Sequence, residues 1–220
     1  MHDSSCCSDS GIRLRLPDLV PVLPWLLWRG RCRYCGAKVP PAIPFLEGMM
    51  VAVVILTALF AHDAARMAAG ILMGWLLVLL VVMDLRYRLL PDLLTGTLLA
   101  SGLLVALALP PTQIVAALSG AVIGGGSFLL LRFLYFRYRG IEGLGLGDVK
   151  LMVGLGAWFG PAWLPLLVLL AAVAGLLIAF LRAWNDGNRV SGTDTVPFGA
   201  YLGGGAILLW HLKSTGGWEW

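Results

Sequence analysis

Seven apolar stretches, separated by short polar connections, constrain the fold of this chain more than any other feature. They lie at about residues 44–61, 65–83, 91–109, 113–134, 147–160, 162–181 and 197–212. A helix needs about 20 mainly apolar residues to cross a bilayer, and lipid leaves no partner for a backbone group that is not bonded internally. The pattern therefore predicts an all-α, polytopic transmembrane bundle of about seven spans, in which the short, glycine-rich fifth and seventh are tilted or bent.

The composition supports a membrane protein. Hydrophobic residues make up 59% of the chain and charged residues 13%, whereas soluble domains average about 25% charged residues. The net charge of +4 could suggest nucleic acid, but fourteen of the sixteen Lys and Arg residues fall on alternate connections. Such a bias sets topology. It predicts a cytoplasmic N-terminus, an outer C-terminus, the lipid bilayer as a partner, and no nucleic acid.

The chain divides by composition into three parts. Residues 1–43 form a polar N-terminal segment, residues 44–212 hold the apolar stretches, and residues 213–220 form an outer tail. Within the first part, residues 16–28 are apolar but interrupted by three prolines. Because proline breaks helices, we expect a surface segment or packed loop there rather than a span.

All four cysteines precede the first apolar stretch. Cys32 and Cys35 form a C-x-x-C pair flanked by arginines, which is similar to one knuckle of a zinc ribbon. A tetrahedral site needs four ligands; Cys7 and Cys6 are the remaining candidates, and Ser10 stands where a second knuckle would have its other cysteine. A reducing compartment disfavours disulfides. The segment is therefore either a structural zinc site or a degenerate knuckle held by packing alone.

Two acidic residues end or begin apolar stretches. Asp84 closes the second stretch and Asp148 opens the fifth. An acidic side chain at the end of a membrane span has a free-energy cost, because it is partly removed from water, and it therefore marks a candidate functional site. The predicted topology places both at cytoplasmic ends of spans, so we hypothesise that they form one active site. Two neighbouring carboxyl groups share a proton, and such a pair performs the chemistry of aspartic proteases.

Three glycines at alternate positions lead into the second acid. Gly143, Gly145 and Gly147 permit close backbone approach and positive φ angles, and they allow Asp148 to sit at a helix start, where the dipole favours a negative charge. Helix packing or a flexible loop would explain the same glycines.

Asp92 lies in the first turn of the helix that is predicted to begin at Pro91. It is interpreted as a cap that the helix dipole favours.

Four motifs resemble one family. Gly145-Leu-Gly-Asp148, followed by Val-Lys150, is similar to the G-x-G-D motif of the type IV prepilin peptidases, which are bacterial membrane aspartic proteases. Asp84 with Leu90-Pro-Asp92 resembles their other catalytic motif. The cysteine segment at 29–36 with residues 44–47, and the late motif at 196–202, resemble further family segments in order and spacing.

The resemblance implies an endopeptidase of the bacterial inner membrane. Family members remove the leader from type IV prepilins and type II secretion pseudopilins on the cytoplasmic side, after a glycine. Many then methylate the new N-terminus with S-adenosylmethionine, while proteolysis needs no cofactor. It implies Asp84 and Asp148 as the catalytic pair, with support from Gly145, Gly147, Lys150 and Glu47. The family pattern also has a span before the cysteine segment, so we expect a shortened start or a member that lacks it.

Two other functions fit parts of the sequence. A transporter or proton relay would use the acids to carry ions, but it predicts more polar residues along the spans than the few serines and threonines found there. A non-catalytic membrane scaffold would explain the apolar stretches but not the two acids. A presenilin-like protease would have Tyr-Asp where this chain has Met83-Asp84.

Overall fold

The computed structural model describes residues 12, 15, 18, 20–61, 63–108, 110–141, 143–186 and 197–215. In these ranges the secondary structure is helical apart from one isolated antiparallel bridge between Arg31 and Lys38. The helices are α1 (Leu23–Leu27), α2 (Ala42–Phe60), α3 (Ala64–Tyr87), α4 (Asp92–Leu107), α5 (Pro111–Arg139), α6 (Leu146–Phe159), α7 (Leu164–Asp186) and α8 (Phe198–Thr215). The all-α prediction is confirmed for this part of the chain, and each predicted apolar stretch coincides with one helix from α2 to α8.

Among the residues that the structure describes, four helices are long and apolar enough to cross a membrane. They are Ala42–Phe60, Ala64–Tyr87, Thr112–Arg139 and Leu164–Leu181. Helices α4 and α6 are shorter, with 16 and 14 residues, so the count of seven spans stays a prediction. In the described part of the proline-rich stretch at 16–28, the α-helix is the five-residue α1, which is too short to span a bilayer.

The chain forms two compact units. The first is Met1–Leu59 and the second is Phe60–Trp220. In the first unit, the Trp25 indole N–H donates to the Val39 carbonyl at 3.2 Å, and Val39 N–H donates to the Gly30 carbonyl at 2.9 Å. These bonds close the turn that carries Cys32 and Cys35. The second unit holds α3 to α8 and both acids of the hypothesised active site.

Local sequence signals fix the helix ends of the second unit. The Asp63 side chain accepts from the Arg66 backbone N–H at 2.7 Å and caps α3, a favoured arrangement at a helix start. Pro111 occupies the first turn of α5, where its missing N–H is not needed. Gly140 and Gly160 end α5 and α6 with φ of 69°, a left-handed value that glycine adopts without steric cost.

The helices of the second unit pack around one apolar core. Helix α6 contacts α4 and α5, and α8 contacts α3 and α7. Fully buried leucines from five helices fill the centre: Leu77, Leu98, Leu155, Leu167 and Leu209, each 0% exposed. Because α6 and α8 each pack against more than two helices, their N-termini are held at fixed places. The N-terminus of α6 carries Asp148.

Helices α5 and α6 approach each other so closely at Gly120 and Gly156 that no side chain fits between their backbones at this point. A Cβ atom on Gly120 would overlap the carbonyl oxygen of Gly156, and one on Gly156 would overlap that of Gly120. Small residues at helix interfaces permit this kind of backbone contact in membrane proteins. The pair therefore sets the position of α6 against α5.

We expect Gly120→Ala to lower the thermal stability of the purified protein in detergent. The added methyl group must push α6 away from α5, and overpacking of this kind costs about 1–3 kcal/mol or more. Gly126→Ala is the matched control, because it lies in the same helix with no atom within 4 Å of the new Cβ. The two variants would melt alike if the close approach of Gly120 and Gly156 did not stabilise the bundle.

Candidate active site

Asp84 lies in the last turn of α3, where the helix leaves the apolar core. Its side chain is buried, with 6% of the residue exposed. The helix ends at Arg88, which adopts left-handed φ and donates its backbone N–H to the Asp84 carbonyl. The Asp84 carboxylate is not left without a donor, because its Oδ2 accepts the backbone N–H of Ala200 at 2.7 Å. A buried carboxylate needs such a partner.

Asp148 lies in the first turn of α6 and caps its own helix. The N-cap residue is Gly145, which has no side chain to cap with, and the Asp148 carboxylate accepts the backbone N–H of Gly145 instead. An acid at the third helical position commonly reaches back to the N-cap N–H in this way. The expectation that Asp148 stands at a helix start is confirmed.

The start of α8 joins the two acids. Gly199 N–H bonds to the Asp148 carboxylate and Ala200 N–H bonds to the Asp84 carboxylate. A Cβ atom built on Gly199 would lie 3.1 Å from Asp148 Oδ1 and 3.1 Å from Asp84 Oδ2, so these oxygens are no further apart than twice 3.1 Å. The N-terminus of α8 therefore presents adjacent amides, with its favourable dipole, to a pair of neighbouring carboxylates.

Leu90 packs beside the same point from the connection between α3 and α4. A Cβ atom on Gly147 would lie 3.0 Å from Leu90 Cβ, and one on Gly199 would lie 3.0 Å from Leu90 Cδ1. Both glycines are thus contact points where a larger residue would press on Leu90. Leu90 therefore packs next to the residues that surround the two acids. The sequence indicated this leucine only as part of a motif.

The glycine loop before α6 is held by α5. A Cβ atom on Gly143 would overlap the Tyr135 ring, and the Arg132 guanidinium donates to the Leu144 carbonyl. The expectation of positive φ angles is wrong for this loop: Gly145 has φ of −68°, and the positive-φ glycines of the described chain lie elsewhere. Gly143 is required here for close approach, because the Tyr135 ring of α5 occupies the space that a side chain would need.

Lys150 is the other supporting residue predicted in this motif. Its Nζ lies 2.6 Å from Asp92 Oδ1, and the two side chains are 48% and 76% exposed. The pair links the N-terminal part of α6 to the first turn of α4. Asp92 is in the first turn of α4, as expected, and it also has a lysine partner that the sequence reading did not give it. An exposed pair of this kind is worth about 0–1 kcal/mol.

The remaining predicted site residues lie in the first unit. Glu47 Oε2 accepts the Val22 backbone N–H at 2.8 Å. Cys32 and Cys35 share a tight turn in which Gly36 N–H donates to the Cys32 carbonyl at 2.9 Å. Cys6, Cys7 and Ser10 lie outside the described residues. Within the described ranges no three Cys, His, Asp or Glu residues form a metal-binding group, so the predicted zinc site is not completed by these residues alone.

Backbone groups are the main part of the site that sequence reasoning missed. The amides of Gly199 and Ala200 approach acids that are far away along the chain, and Asp84 and Ala200 are separated by 116 positions. The available signal was a proline followed by a small-residue helix start at 197–200. Arg132 was read only as a topology charge, although its guanidinium holds the loop that precedes Asp148.

The geometry suits general acid and base chemistry. Two carboxyl groups that lie this close to each other can share one proton. One can then accept a proton from water while the other donates one to a polarised carbonyl. The flanking amides and the dipole of α8 orient the two groups without supplying a competing acid or base.

The chain is similar to known leader peptidases over most of its length. The model of the type IV leader peptidase family matches residues 71–180, and that of the bacterial peptidase A24 N-terminal domain matches residues 1–61. Among curated proteins, the chain is 38% identical over 93% of its length to a Burkholderia pseudomallei protein named prepilin leader peptidase/N-methyltransferase, of which it covers 66%.

Two further relatives are covered more fully. The chain is 36% identical to a Dickeya chrysanthemi protein of the same name, and the match takes in 98% of this chain and 75% of that protein. It is 34% identical to an Escherichia coli type 4 prepilin-like proteins leader peptide-processing enzyme, with 96% of this chain and 76% of that protein covered. No solved structure matches the chain. The chain belongs to the type IV leader peptidase family.

Proposed function

We propose that this protein is a membrane aspartic endopeptidase that removes the leader from type IV prepilins or pseudopilins, with Asp84 and Asp148 as its catalytic pair. The observation that carries the proposal is the contact of both carboxylates with the first residues of α8. The names of the relatives supply the substrate class.

The proposed reaction needs one proton on the pair. The ionised carboxyl group takes a proton from a water molecule, whose oxygen attacks the scissile carbonyl carbon while the protonated group donates to the carbonyl oxygen. The tetrahedral intermediate then collapses: the carboxyl group that took the water proton passes it to the amide nitrogen, and the C–N bond breaks. The other carboxylate takes back a proton from a hydroxyl of the intermediate, and the leader leaves with the new carboxyl group. The pilin keeps a new amino terminus.

The proposed site faces the cytoplasm at the inner membrane. The four apolar helices suit a bilayer, and Arg86 and Arg88 directly follow Asp84 while Arg137 and Arg139 end α5. Basic residues are concentrated on the cytoplasmic side of such proteins. We therefore infer that the acids lie near the cytoplasmic surface, where they meet the junction between the leader and the apolar part of the substrate.

A second activity follows from the names of the relatives. We infer that the chain also methylates the new amino terminus with S-adenosylmethionine, as the N-methyltransferase names of its relatives suggest. The turn at Cys32 and Cys35 suits a structural zinc ion, since it places two thiols on one tight turn with Gly36 at φ of 70°; Cys7 and Cys6 would complete the site. Metal analysis of the purified protein tests this, and zinc-free folded protein would contradict it.

The transporter or proton-relay reading receives less support from the helix interiors. The Ser101, Ser119 and Ser127 hydroxyls each donate to a carbonyl of their own helix at 2.9–3.1 Å. Thr95 and Thr97 do the same. Hydroxyls that bond within their own helix do not form a chain of polar groups through the bundle.

We expect Asp84→Asn and Asp148→Asn each to abolish leader removal from a co-expressed prepilin. An amide can neither accept the proton from water nor complete the shared-proton pair, and loss of a catalytic group typically lowers rates by 10²–10⁴-fold or more. Mass spectrometry of the pilin N-terminus measures the cleaved fraction. Asp92→Asn is the control, since it removes an exposed acid outside the pair. Complete leader removal by both the Asp84→Asn and the Asp148→Asn variant would contradict the proposal.

We expect Gly199→Ala to slow leader removal at least about tenfold while the protein stays folded. The new methyl group would meet Leu90 and an oxygen of each catalytic acid at 3.0–3.1 Å, which is tight enough to displace the pair, and small misplacements of catalytic groups carry large rate penalties. Gly204→Ala is the matched control in the same helix, with open space around the new Cβ. Equal cleavage rates for the two variants would refute the role given to Gly199.

A further inference from the structure

The connection between α3 and α4 carries a leucine that the proton chemistry of the acid pair does not use. Leu90 is partly buried and packs against the apolar core. A Cβ atom on Gly199 would lie 3.0 Å from Leu90 Cδ1 and 3.1 Å from both Asp148 Oδ1 and Asp84 Oδ2. Leu90 Cδ1 is therefore no further from an oxygen of each acid than the sum of two such distances, so this methyl group borders the space in which the acids act.

The connection leaves Leu90 little freedom to move. Leu89 and Leu90 are the two residues between the cap residues of the helices, Arg88 and Pro91. Arg88 donates its backbone N–H to the Asp84 carbonyl at 3.0 Å, and a residue before proline is largely restricted to extended backbone conformations. The ends of α3 and α4 therefore fix the place of the Leu90 side chain relative to Asp84.

Glycines face Leu90 from the starts of two other helices. A Cβ atom on Gly147, in α6, would lie 3.0 Å from Leu90 Cβ and 3.2 Å from Leu90 Cδ1. Gly199, in α8, is equally close to Cδ1. Carbon atoms in optimal contact are about 3.5–4.0 Å apart, so neither position could take a side chain unless Leu90 moved. Leu90 thus fills the space that these glycines leave beside the acids.

A peptide substrate must place its scissile carbonyl in the same space. General acid and base groups work at about 2.6–3.2 Å from the atoms with which they exchange protons. The Cα atom before that carbonyl is one bond away, about 1.5 Å, so its side chain would begin beside the two acids. Leu90 already occupies the neighbouring volume. A residue without a side chain fits there, whereas a methyl group or anything larger presses on Leu90.

We propose that Leu90 is a specificity-determining residue, which restricts the last residue of the leader to one without a side chain. The proposal rests on the proposed peptidase function and adds the residue that selects the bond to be cut. In the proposed orientation the leader lies on the cytoplasmic side, and Leu90 follows Arg86 and Arg88 at that end of α3. Leu90 is therefore assigned to the residue before the scissile bond rather than to the one after it.

The test measures kcat/KM of the full chain in detergent on purified prepilins that have glycine, alanine or valine as the last leader residue. Mass spectrometry of the products gives the rates. We expect the unchanged protein to prefer glycine over alanine at least about tenfold, since one methylene that fits poorly changes kcat/KM by about 10–200-fold. Leu90→Ala should reduce this preference at least about tenfold by cleaving the alanine substrate faster. Leu90→Val should give an intermediate preference.

Matched controls separate selection by Leu90 from a general loss of packing. Leu94→Ala shortens another partly buried leucine that packs against the same core, and it should keep the substrate preference of the unchanged protein. A second series of prepilins varies the residue after the scissile bond, and Leu90→Ala should not change the preference there. If Leu90→Ala does not fold, the preference of Leu90→Val decides.

Three results would overturn the role of Leu90 while leaving the peptidase assignment intact. They are an unchanged glycine preference in the folded Leu90 variants, an equal change in Leu94→Ala, and a relaxed preference only at the residue after the bond. Failure of the unchanged protein to cleave any of the prepilins would instead overturn the peptidase assignment, and the role of Leu90 with it.

Discussion

The structure of the second unit depends on how two carboxyl groups are accommodated at the edge of an apolar bundle. Moving such groups away from water carries a large penalty unless they find hydrogen-bond donors. The donors here are backbone amides: Ala200 for Asp84, and Gly145 and Gly199 for Asp148. Because amides at helix starts have no partner within the helix, the fold satisfies the acids and the helix ends at once. These amides supply hydrogen bonds without adding a titratable group of their own.

The position of these amides follows from packing further away. Helix α6 is fixed against α5 where Gly120 and Gly156 exclude side chains, and the loop before it is held by Tyr135 and Arg132. Helix α8 is fixed between α3 and α7. The small residues of this unit thus have two separate uses. Those within helices permit backbone contact, and those at helix starts leave room beside the acids. Neither use requires an unusual backbone conformation.

Much of this arrangement could be predicted from the sequence. Hydropathy located seven helices, α2 to α8, because long apolar runs have few other stable forms in lipid. Asp148 at a helix start and Asp84 at a helix end followed from the limits of those runs. The length of α5 was underestimated, since Phe133, Tyr135 and Tyr138 alternate with arginines and interrupt the apolar pattern while remaining helical.

The parts that could not be predicted are contacts between distant segments. The hydrogen bonds of a backbone amide do not depend on the identity of its side chain. The contacts of Gly199 and Ala200 with the acids could therefore not be predicted, although the motif at 196–202 had been identified. The glycines before Asp148 were expected to permit both close backbone approach and positive φ angles; only the close approach is found, of Gly143 to the Tyr135 ring and of Gly147 to the Leu90 side chain. Sequence patterns report local conformation well, but they do not report which neighbour fills the space beside a glycine.

We propose that Asp84 and Asp148 act as one catalytic unit. The most direct measurement compares residual leader removal by Asp84→Asn, Asp148→Asn and the double variant, with enzyme in excess over prepilin. Groups that act as a unit are strongly non-additive, so we predict that the double variant is no slower than the slower single variant. Two partial losses that multiply in the double variant would mean that the acids act independently, and would contradict the account.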